Sequence, residues 1–539
     1  MRYQRVLLCA AALAVAIPAR MMMAQVQQAP PDVPTFRVTS TLVFLDVTVL
    51  DKKGHPVVSG LTKDDFTITE DKKPQTIFSF EAPESHVMGT QAGDDNPDGK
   101  APVTIFVLDL LNSSFQDFAF IRYEAKQFLL AQPAQLAAPA ELMVVGDQSL
   151  ELLQGYTRSR ADLLYALEHL PAALPFKKMN EEFYWDRFGQ SLDALQQIAL
   201  QNKGVPGRKN VVWVGHGGPS VNLFSPDLTG AEVEDLKQYV HMTTNMLVDA
   251  RISLFVIYPG LNVASRRVSL SEMEADSDLG DDDPFAGDIN FGVFVNATGG
   301  KLFFRRNDVD MEMARSERMG SEYYTLTYMP QDVPSDGKFR RIRVTLRNRN
   351  LRVVTKAGYF APDGKKFVDP RQQTMINVAE AASSTIPFKA LDFAVGDVLR
   401  HPDTRSAQFV VRLKGKHLGW TASGDGRSSA NLVVAAVSRS GDGSIVASRL
   451  EHVSITSGIQ DATRRGEAVA LLPLSIRIPR KTKTVRVVIE AEVGGRIGAT
   501  EVDRKTIDAA PAAPTPEPKL TRHRPEYVRP APAPSGNNP

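Results

Sequence analysis

One cysteine, Cys9, occurs in 539 residues, which excludes an internal disulfide. Net charge is also nearly absent: 63 Lys and Arg face 62 Asp and Glu, leaving +1 at neutral pH. So balanced a chain has no bulk field to gather a nucleic-acid backbone or an anionic membrane, and no nucleic-acid partner is expected. No apolar run reaches the roughly 20 residues of a membrane span; the run from Val6 to Ile17 stops well short. The nine histidines are scattered from His55 to His523 without HExxH or paired spacing, so zinc is unsupported. Gly204-Val-Pro-Gly207-Arg-Lys209 lacks the Gly-Lys-Ser/Thr that cradles phosphates. What remains is 43% hydrophobic residues over the length of roughly three domains, each able to bury a core.

The first residues are those of an export signal. Arg2 and Arg5 precede the short apolar run, and small residues follow it, placing cleavage after Ala24 or Ala19. Removal of residues 1–24 discards Arg2, Arg5, Arg20 and Cys9 and leaves 60 basic against 62 acidic side chains. The exported product, periplasmic or secreted, is then cysteine-free and held by its cores alone.

Residues 36–83 alternate in strand fashion, with Val43, Leu45, Val47 and Val49 on one face and Asp51-Lys-Lys-Gly54 as a turn. Residues 84–100, rich in Gly, Asp, Asn and Pro, read as a linker. From 101 to 320 short, fully apolar strands (Val103 to Leu108, Asn210 to Val214, Ile252 to Tyr258) alternate with helical spacing. That alternation predicts an α/β domain with a doubly wound, mostly parallel sheet covered on both faces. Residues 321–362 are strands again and are expected to complete the N-terminal β module, since each group is too small for its own core. Gly364 to Pro387 reads as a linker, 388–508 as a C-terminal β-sandwich, and the Pro- and Ala-rich 509–539 as a disordered tail.

In an open parallel sheet, ligands bind at the carboxyl ends of the strands where the winding reverses. If the strands at Val103 and Asn210 are neighbours, that crevice is lined by Asp109, Asn112, Ser113 and Ser114 from one and His216 and Gly217 from the other. Asp109 with nearby hydroxyls and an amide suits a hard cation such as Mg²⁺. The competing reading is that Asn112, Ser113 or Ser114 caps the helix that follows.

The α/β alternation, the strand-end Asp109 and a set of ordered motifs together resemble the von Willebrand factor type A domain. The motifs are Val49-Leu-Asp-Lys-Lys-Gly54, Leu61-Thr-Lys-Asp-Asp-Phe66, Glu70-Asp-Lys-Lys-Pro-Gln75, Gly207-Arg-Lys209, Ala297-Thr-Gly-Gly300, Tyr324-Thr-Leu-Thr-Tyr-Met-Pro330 and Asp336-Gly-Lys-Phe-Arg340 through Gly358-Tyr-Phe-Ala361. More narrowly they resemble the VWFA-related family of secreted Acidobacteria proteins, over residues 36–362. The resemblance implies a Rossmann-like fold, a binding rather than catalytic role, and a metal-ion-dependent adhesion site of pattern Asp-x-Ser-x-Ser, then Thr, then Asp. Asp109 and Ser113 match that pattern. Leu111 replaces the first Ser, no Thr occurs between Pro171 and Glu182, and His216 stands where the Asp is expected. The implied site is degenerate, with Asp109 and Ser113 as its metal ligands and Asn112, Ser114, His216 and Gly217 as its binding face.

Three further signals are weaker. Glu272 to Asp283 is acidic but lacks the Gly and Glu positions of a calcium loop, and reads as a solvated loop. Gly218-Pro-Ser220-Val-Asn222 approximates a nucleophile elbow but lacks its closing Gly. Asn112-Ser-Ser114 and Asn296-Ala-Thr298 match the glycosylation sequon. The expectation is an exported, non-enzymatic, adhesion-type protein that binds a protein or extracellular polymer. The alternatives are a hydrolase at the crevice, or a structural envelope component.

Overall fold

The computed structural model describes residues 42–86, 101–146, 149–170, 183–260, 288–330, 334–364, 370–422 and 426–513. The signal segment, residues 87–100 of the linker, the loop that should offer a Thr, the acidic stretch and residues 514–539 of the tail lie outside the described residues. Among the described residues no helix is long and apolar enough to cross a membrane.

The chain opens with β1 (Val43–Leu50), β2 (Phe66–Glu70), β3 (Lys73–Gln75) and β4 (Ile77–Glu81). The α/β segment follows: β5 (Val103–Asp109), α1 (Phe115–Ala131), β6 (Gln135–Val145), β7 (Leu150–Ser159), α2 (Arg160–Glu168) and α3 (Tyr184–Gln201). It continues through β8 (Lys209–Val214), β9 (Val221–Asn222), α4 (Gly230–Asp249), β10 (Ile252–Pro259), β11 (Asp288–Ile289), α5 (Phe291–Thr298), β12 (Leu302–Arg306) and α6 (Val309–Ser321). Its six-stranded sheet runs β12-β10-β8-β5-β6-β7. The sheet is mixed: β12, β10, β8, β5 and β6 are parallel neighbours, while β7 pairs β6 antiparallel. The few residues between β6 and β7 are too short for the crossover that a parallel partner needs.

Strand alternation divides two cores across this sheet. Ile105, Val107, Val211, Trp213, Leu254 and Val256 meet residues of α3, α4 and α5. Phe106, Leu108, Val212, Val214, Phe255 and Ile257 meet α1, α2 and α6. Helices thus cover both faces, which is why the central strands are apolar without interruption.

The strands on either side of this segment share one core. β13 (Tyr324–Tyr328), β14 (Phe339–Leu346), β15 (Arg352–Val354) and β16 (Gly358–Phe360) form two sheets with the first strands, ordered β15-β1-β13-β4 and β16-β14-β2-β3. Val47 of β1 faces Tyr324, Val49 faces Val353, and Ile68 of β2 faces Val344. Leu45, Val47, Ile68, Tyr324, Leu326 and Ile342 are buried between the sheets. The Glu70 carboxylate inside accepts hydrogen bonds from the hydroxyls of Tyr328 and Tyr359.

Gly364 to Pro387 is not simply a linker. It contains α7 (Pro370–Ser383), whose Val378, Ala381 and Ala382 are buried. The helix docks against partners from both sides in sequence, which its own polar-rich text does not announce. Arg439 donates to the carbonyls of Ala382 and Ser384, and Arg486 to those of Ala381 and Ile386. Two guanidinium groups therefore satisfy two of the orphan carbonyls, those of Ala381 and Ala382, and oppose the negative dipole end of α7. The remaining chain forms β17 (Phe393–His401), β18 (Ser406–Lys414), β19 (Thr421–Ala422), β20 (Ser428–Ser440), β21 (Ile445–Ser457), α8 (Ala462–Glu467), β22 (Val469–Arg477), β23 (Thr482–Ala491), β24 (Ile497–Asp503) and α9 (Arg504–Ala509). A sheet of β17-β18-β22 faces one of β19-β20-β23-β24, with β21 also paired to β20.

A buried polar cluster joins the N-terminal strands to the α/β segment. Asp46 of β1 takes Arg251 in a two-pronged ion pair and a 3.0 Å bond from Thr325 Oγ1. Burial opposes ionisation of Asp46, but the Arg251 charge and hydrogen bond hold its carboxyl below the usual carboxylate range. Arg208, fully buried, donates to Thr48 Oγ1 at 2.9 Å and lies over the Tyr323 ring. Removing one partner of such a pair strands the other charge, so Asp46→Ala should lower unfolding free energy by about 3 kcal/mol. Chemical denaturation checks this, and a loss under about 1 kcal/mol would show the pair to be idle.

The α/β sheet itself holds another buried acid. Glu141 of β6 is 1% exposed and receives Gln201 Nε2 at 3.5 Å, beside Tyr156, whose hydroxyl donates to Asn202. Burial pushes the Glu141 carboxyl up to about 8. In the unfolded chain it ionises at its ordinary value, so between about pH 4.5 and 8 the folded state holds a proton that the unfolded state lacks. This group's contribution to stability is therefore greatest below that window and falls by about 1.4 kcal/mol per pH unit across it. Glu141→Gln should flatten the decline; identical pH slopes in denaturation of both proteins would refute the assignment.

Candidate functional site

The chain winds from β5 to β6 and β7 in one direction and from β8 to β10 and β12 in the other. The reversal falls between β5 and β8, so a crevice opens at their carboxyl ends, and Asp109 is the last residue of β5.

Asp109 is fully buried and surrounded by N–H donors. Oδ1 accepts from the Asn112 backbone at 2.8 Å, and Asn112 Nδ2 lies 3.3 Å from each oxygen. Oδ2 accepts from Trp213 Nε1 at 3.1 Å and from the Gly217 backbone at 2.8 Å. Two glycines make this approach possible. A Cβ on Gly215 would lie 2.3 Å from Asp109 Cβ, and one on Gly217, at φ +65°, would lie 2.6 Å from the Phe291 ring. Burial raises the Asp109 pKa, opposed by the Asn112 and Trp213 hydrogen bonds and by the charge of His216.

Ser114 is the N-cap of α1. Its hydroxyl accepts from Asp117 N at 3.1 Å and donates to Asp117 Oδ2 at 2.7 Å, closing a capping box. Asp117 also meets His216 Nε2 at 3.7 Å. The adjacent His216 imidazole is the main cause of its carboxyl falling to about 2. His216 packs edge-on against Tyr258 at 5.5 Å.

Among the residues anticipated from sequence, Asp109, Asn112 and Gly217 meet directly, while Ser114 and His216 meet through Asp117. Ser113 is fully buried, and its hydroxyl has no hydrogen-bond partner among the described residues. Three contributors were not anticipated. Asp117 was signalled by the Ser-x-x-Asp capping spacing, whereas the indole N–H of Trp213 and the hydroxyl of Ser191, which receives Asn112 Nδ2 at 3.0 Å, left no pattern in sequence. Ser220 precedes β9, which pairs with β11, and the next helix begins only at Gly230. It does not sit on a strand-to-helix elbow.

The residues present do not fit the Mg²⁺ that the resemblance implies. The ion requires near-octahedral oxygens. Both Asp109 oxygens instead face N–H groups, whose positive ends repel a cation, and Leu111 is buried in an apolar core. Ser113 offers one hydroxyl, and the His216 imidazole is a poor ligand for a hard ion. Among the described residues no group of three or more His, Cys, Asp or Glu side chains is arranged to hold a metal. The same end of the sheet carries two exposed aromatic side chains, Phe115 (69%) at the start of α1 and Phe224 (78%) after β9.

No known protein family matches the chain, and no curated protein matches it. Weak structural neighbours exist. The PilB minor pilin from Streptococcus sanguinis aligns at 11% identity and TM-score 0.27, over 40% of this chain and 60% of that one. The SpRpn10 VWA domain aligns at 14% identity and TM-score 0.16, over 33% and 97%. The three N-terminal domains of the type V pili tip protein Mfa5 from Porphyromonas gingivalis align at 9% identity and TM-score 0.17, over 87% and 78%. Likeness this weak assigns neither a fold nor a role.

If Asp109 is the hub described, Asp109→Ala leaves the N–H groups of Asn112, Trp213 and Gly217 buried without an acceptor. The expected loss is about 3 kcal/mol in chemical denaturation; a change within ~0.5 kcal/mol would show that the carboxylate holds nothing together.

Proposed function

We propose that the chain is an exported, non-enzymatic binding protein of adhesion type. In this reading residues 101–320 are a von Willebrand factor A-like domain, inserted into a β module made of 36–83 and 321–362, with a β-sandwich at 388–508. The strand order β12-β10-β8-β5-β6-β7 and the strand-end position of Asp109 support the domain reading. The observation that carries the functional reading is the consumption of Asp109 by the protein's own N–H groups. The crevice residue that would hold a metal or exchange a proton is instead structural, and what faces outward is contact surface, including Phe115 and Phe224. Aromatic side chains of this kind supply much of the energy of protein interfaces. The partner is a protein or extracellular polymer, engaged without a metal ion.

Thermal unfolding in millimolar Mg²⁺, Mn²⁺ or Ca²⁺ should match that in EDTA. A metal present at a hundred times its Kd would add about 2.7 kcal/mol and raise the midpoint visibly, which would overturn the metal-free reading. The immobilised chain should retain the same partner from culture medium in EDTA as in Mg²⁺, and the Phe115→Ser, Phe224→Ser double variant should lose it. Undiminished retention by the folded double variant would place the contact elsewhere.

A further inference from the structure

Lys203 lies in the turn between α3 and β8, and its Nζ is 2.8 Å from Glu490 Oε1. Asn377 of α7 places Nδ2 3.0 Å from the same oxygen. Glu490, on β23, is 1% exposed, and its other oxygen, Oε2, is buried without a hydrogen-bond partner among the described residues. Asn377 is also buried, with Oδ1 accepting from Gln373 Nε2 at 3.1 Å. The stem of Lys203 lies against the turn at Gly495, where an added Cβ would come within 2.6 Å of Lys203 Cε.

A buried carboxylate beside a single lysine would be an ordinary ion pair. The third member changes the chemistry, because an amine and a carboxamide converge on one buried carboxylate oxygen. Both nitrogens bond one oxygen, so they are no more than about 6 Å apart. The amide carbon is ~1.3 Å from Nδ2, and the flexible four-carbon stem of lysine can close the remaining gap.

We propose that Lys203 and Asn377 form an intramolecular amide bond, with Glu490 as the proton carrier. The Lys203 ammonium passes a proton to Glu490, and the freed Nζ lone pair attacks Asn377 Cγ. As the C–N bond forms, the carbonyl π pair moves to Oδ1, which takes the proton from Glu490. Glu490 then removes a second proton from Nζ and delivers it to Nδ2. The Cγ–Nδ2 bond breaks, the Oδ1 proton returns to the carboxylate, and the C=O bond re-forms. Amine and carboxamide become a secondary amide and ammonia, with no oxidant, reductant or cofactor. Burial raises the proton affinity of Glu490, which eases the first transfer.

The location gives the bond a purpose. It would tie the α/β segment covalently to α7, which packs against β20 and β23 of the C-terminal sandwich, in a chain whose single cysteine excludes a disulfide. Peptide mapping of the full exported protein tests it. The expected result is a branched tryptic peptide joining Lys203 to Asn377 and an intact mass about 17 Da below that of the linear chain. Lys203→Arg, which keeps the cation, and Glu490→Gln, which keeps the shape, should each restore the full mass and abolish the branched peptide. An N-terminal Gln25 exposed by processing loses the same mass on cyclising, so the Lys203→Arg variant is decisive. A deficit that persists in that variant, or a wild-type map with only linear peptides containing Lys203 and Asn377, overturns the proposal.

Discussion

The bidentate contact between Asp46 and Arg251 is the constraint around which the molecule is arranged. It joins the α/β segment, just ahead of β10, to the first strand, and Thr325 completes it from β13. Beside it Arg208 holds the β1 hydroxyl of Thr48, which in turn donates to the carbonyl of Met319. Strand β1 therefore uses its two faces differently. Its apolar residues close the small sandwich, and Asp46 and Thr48 dock that sandwich on the α/β segment. Neither set would suffice alone, since so few strands make a marginal core and buried charges without partners are costly.

At the other side of the α/β sheet the attachment is mostly apolar. The core beside α3 continues through Val378, Ala381 and Phe388 into Val433, Val437 and Val488 of the C-terminal sheets. Polar contacts across it include Ser384 donating to Gln197, Thr385 to the Leu150 carbonyl, Arg496 to the Gly204 carbonyl, and the Lys203–Glu490 pair. A continuous apolar seam resists hinge motion. The crevice at the top of the sheet is thus carried on a body braced from two sides.

Much of this was legible in the sequence, and the rest failed for identifiable reasons. The strands from Val103, Asn210 and Ile252 announced themselves because burial on both faces requires unbroken apolar text. The N-terminal strands showed clean alternation because one of their faces is polar. Helix α7 was missed because its buried face is largely alanine and valine, and its partners lie far away in sequence. The strands at Val103 and Asn210 are the neighbours that the winding rule required, but the state of Asp109 was not readable. An acid at a strand end looks the same whether a cation or a ring of N–H groups surrounds it. The difference lies in the direction of the Trp213 indole and in the backbone turn at Gly217, which residue spacing does not encode.

The position of β1 between β13 and β15 has a consequence for the order of assembly. Synthesis delivers the N-terminus first, so β1 emerges long before either neighbour exists. Its row of Val43, Leu45, Val47 and Val49 must wait as an unpaired edge while the whole α/β segment is made, and such edges invite aggregation. The α/β segment can fold meanwhile from its own local contacts. Its folded ends bring the chain before Val103 and after Ser321 within reach of each other, shortening the loop that β1 and β13 must close. The pairing of β1 with β13 thus closes a chain loop of more than 270 residues that the α/β segment spans.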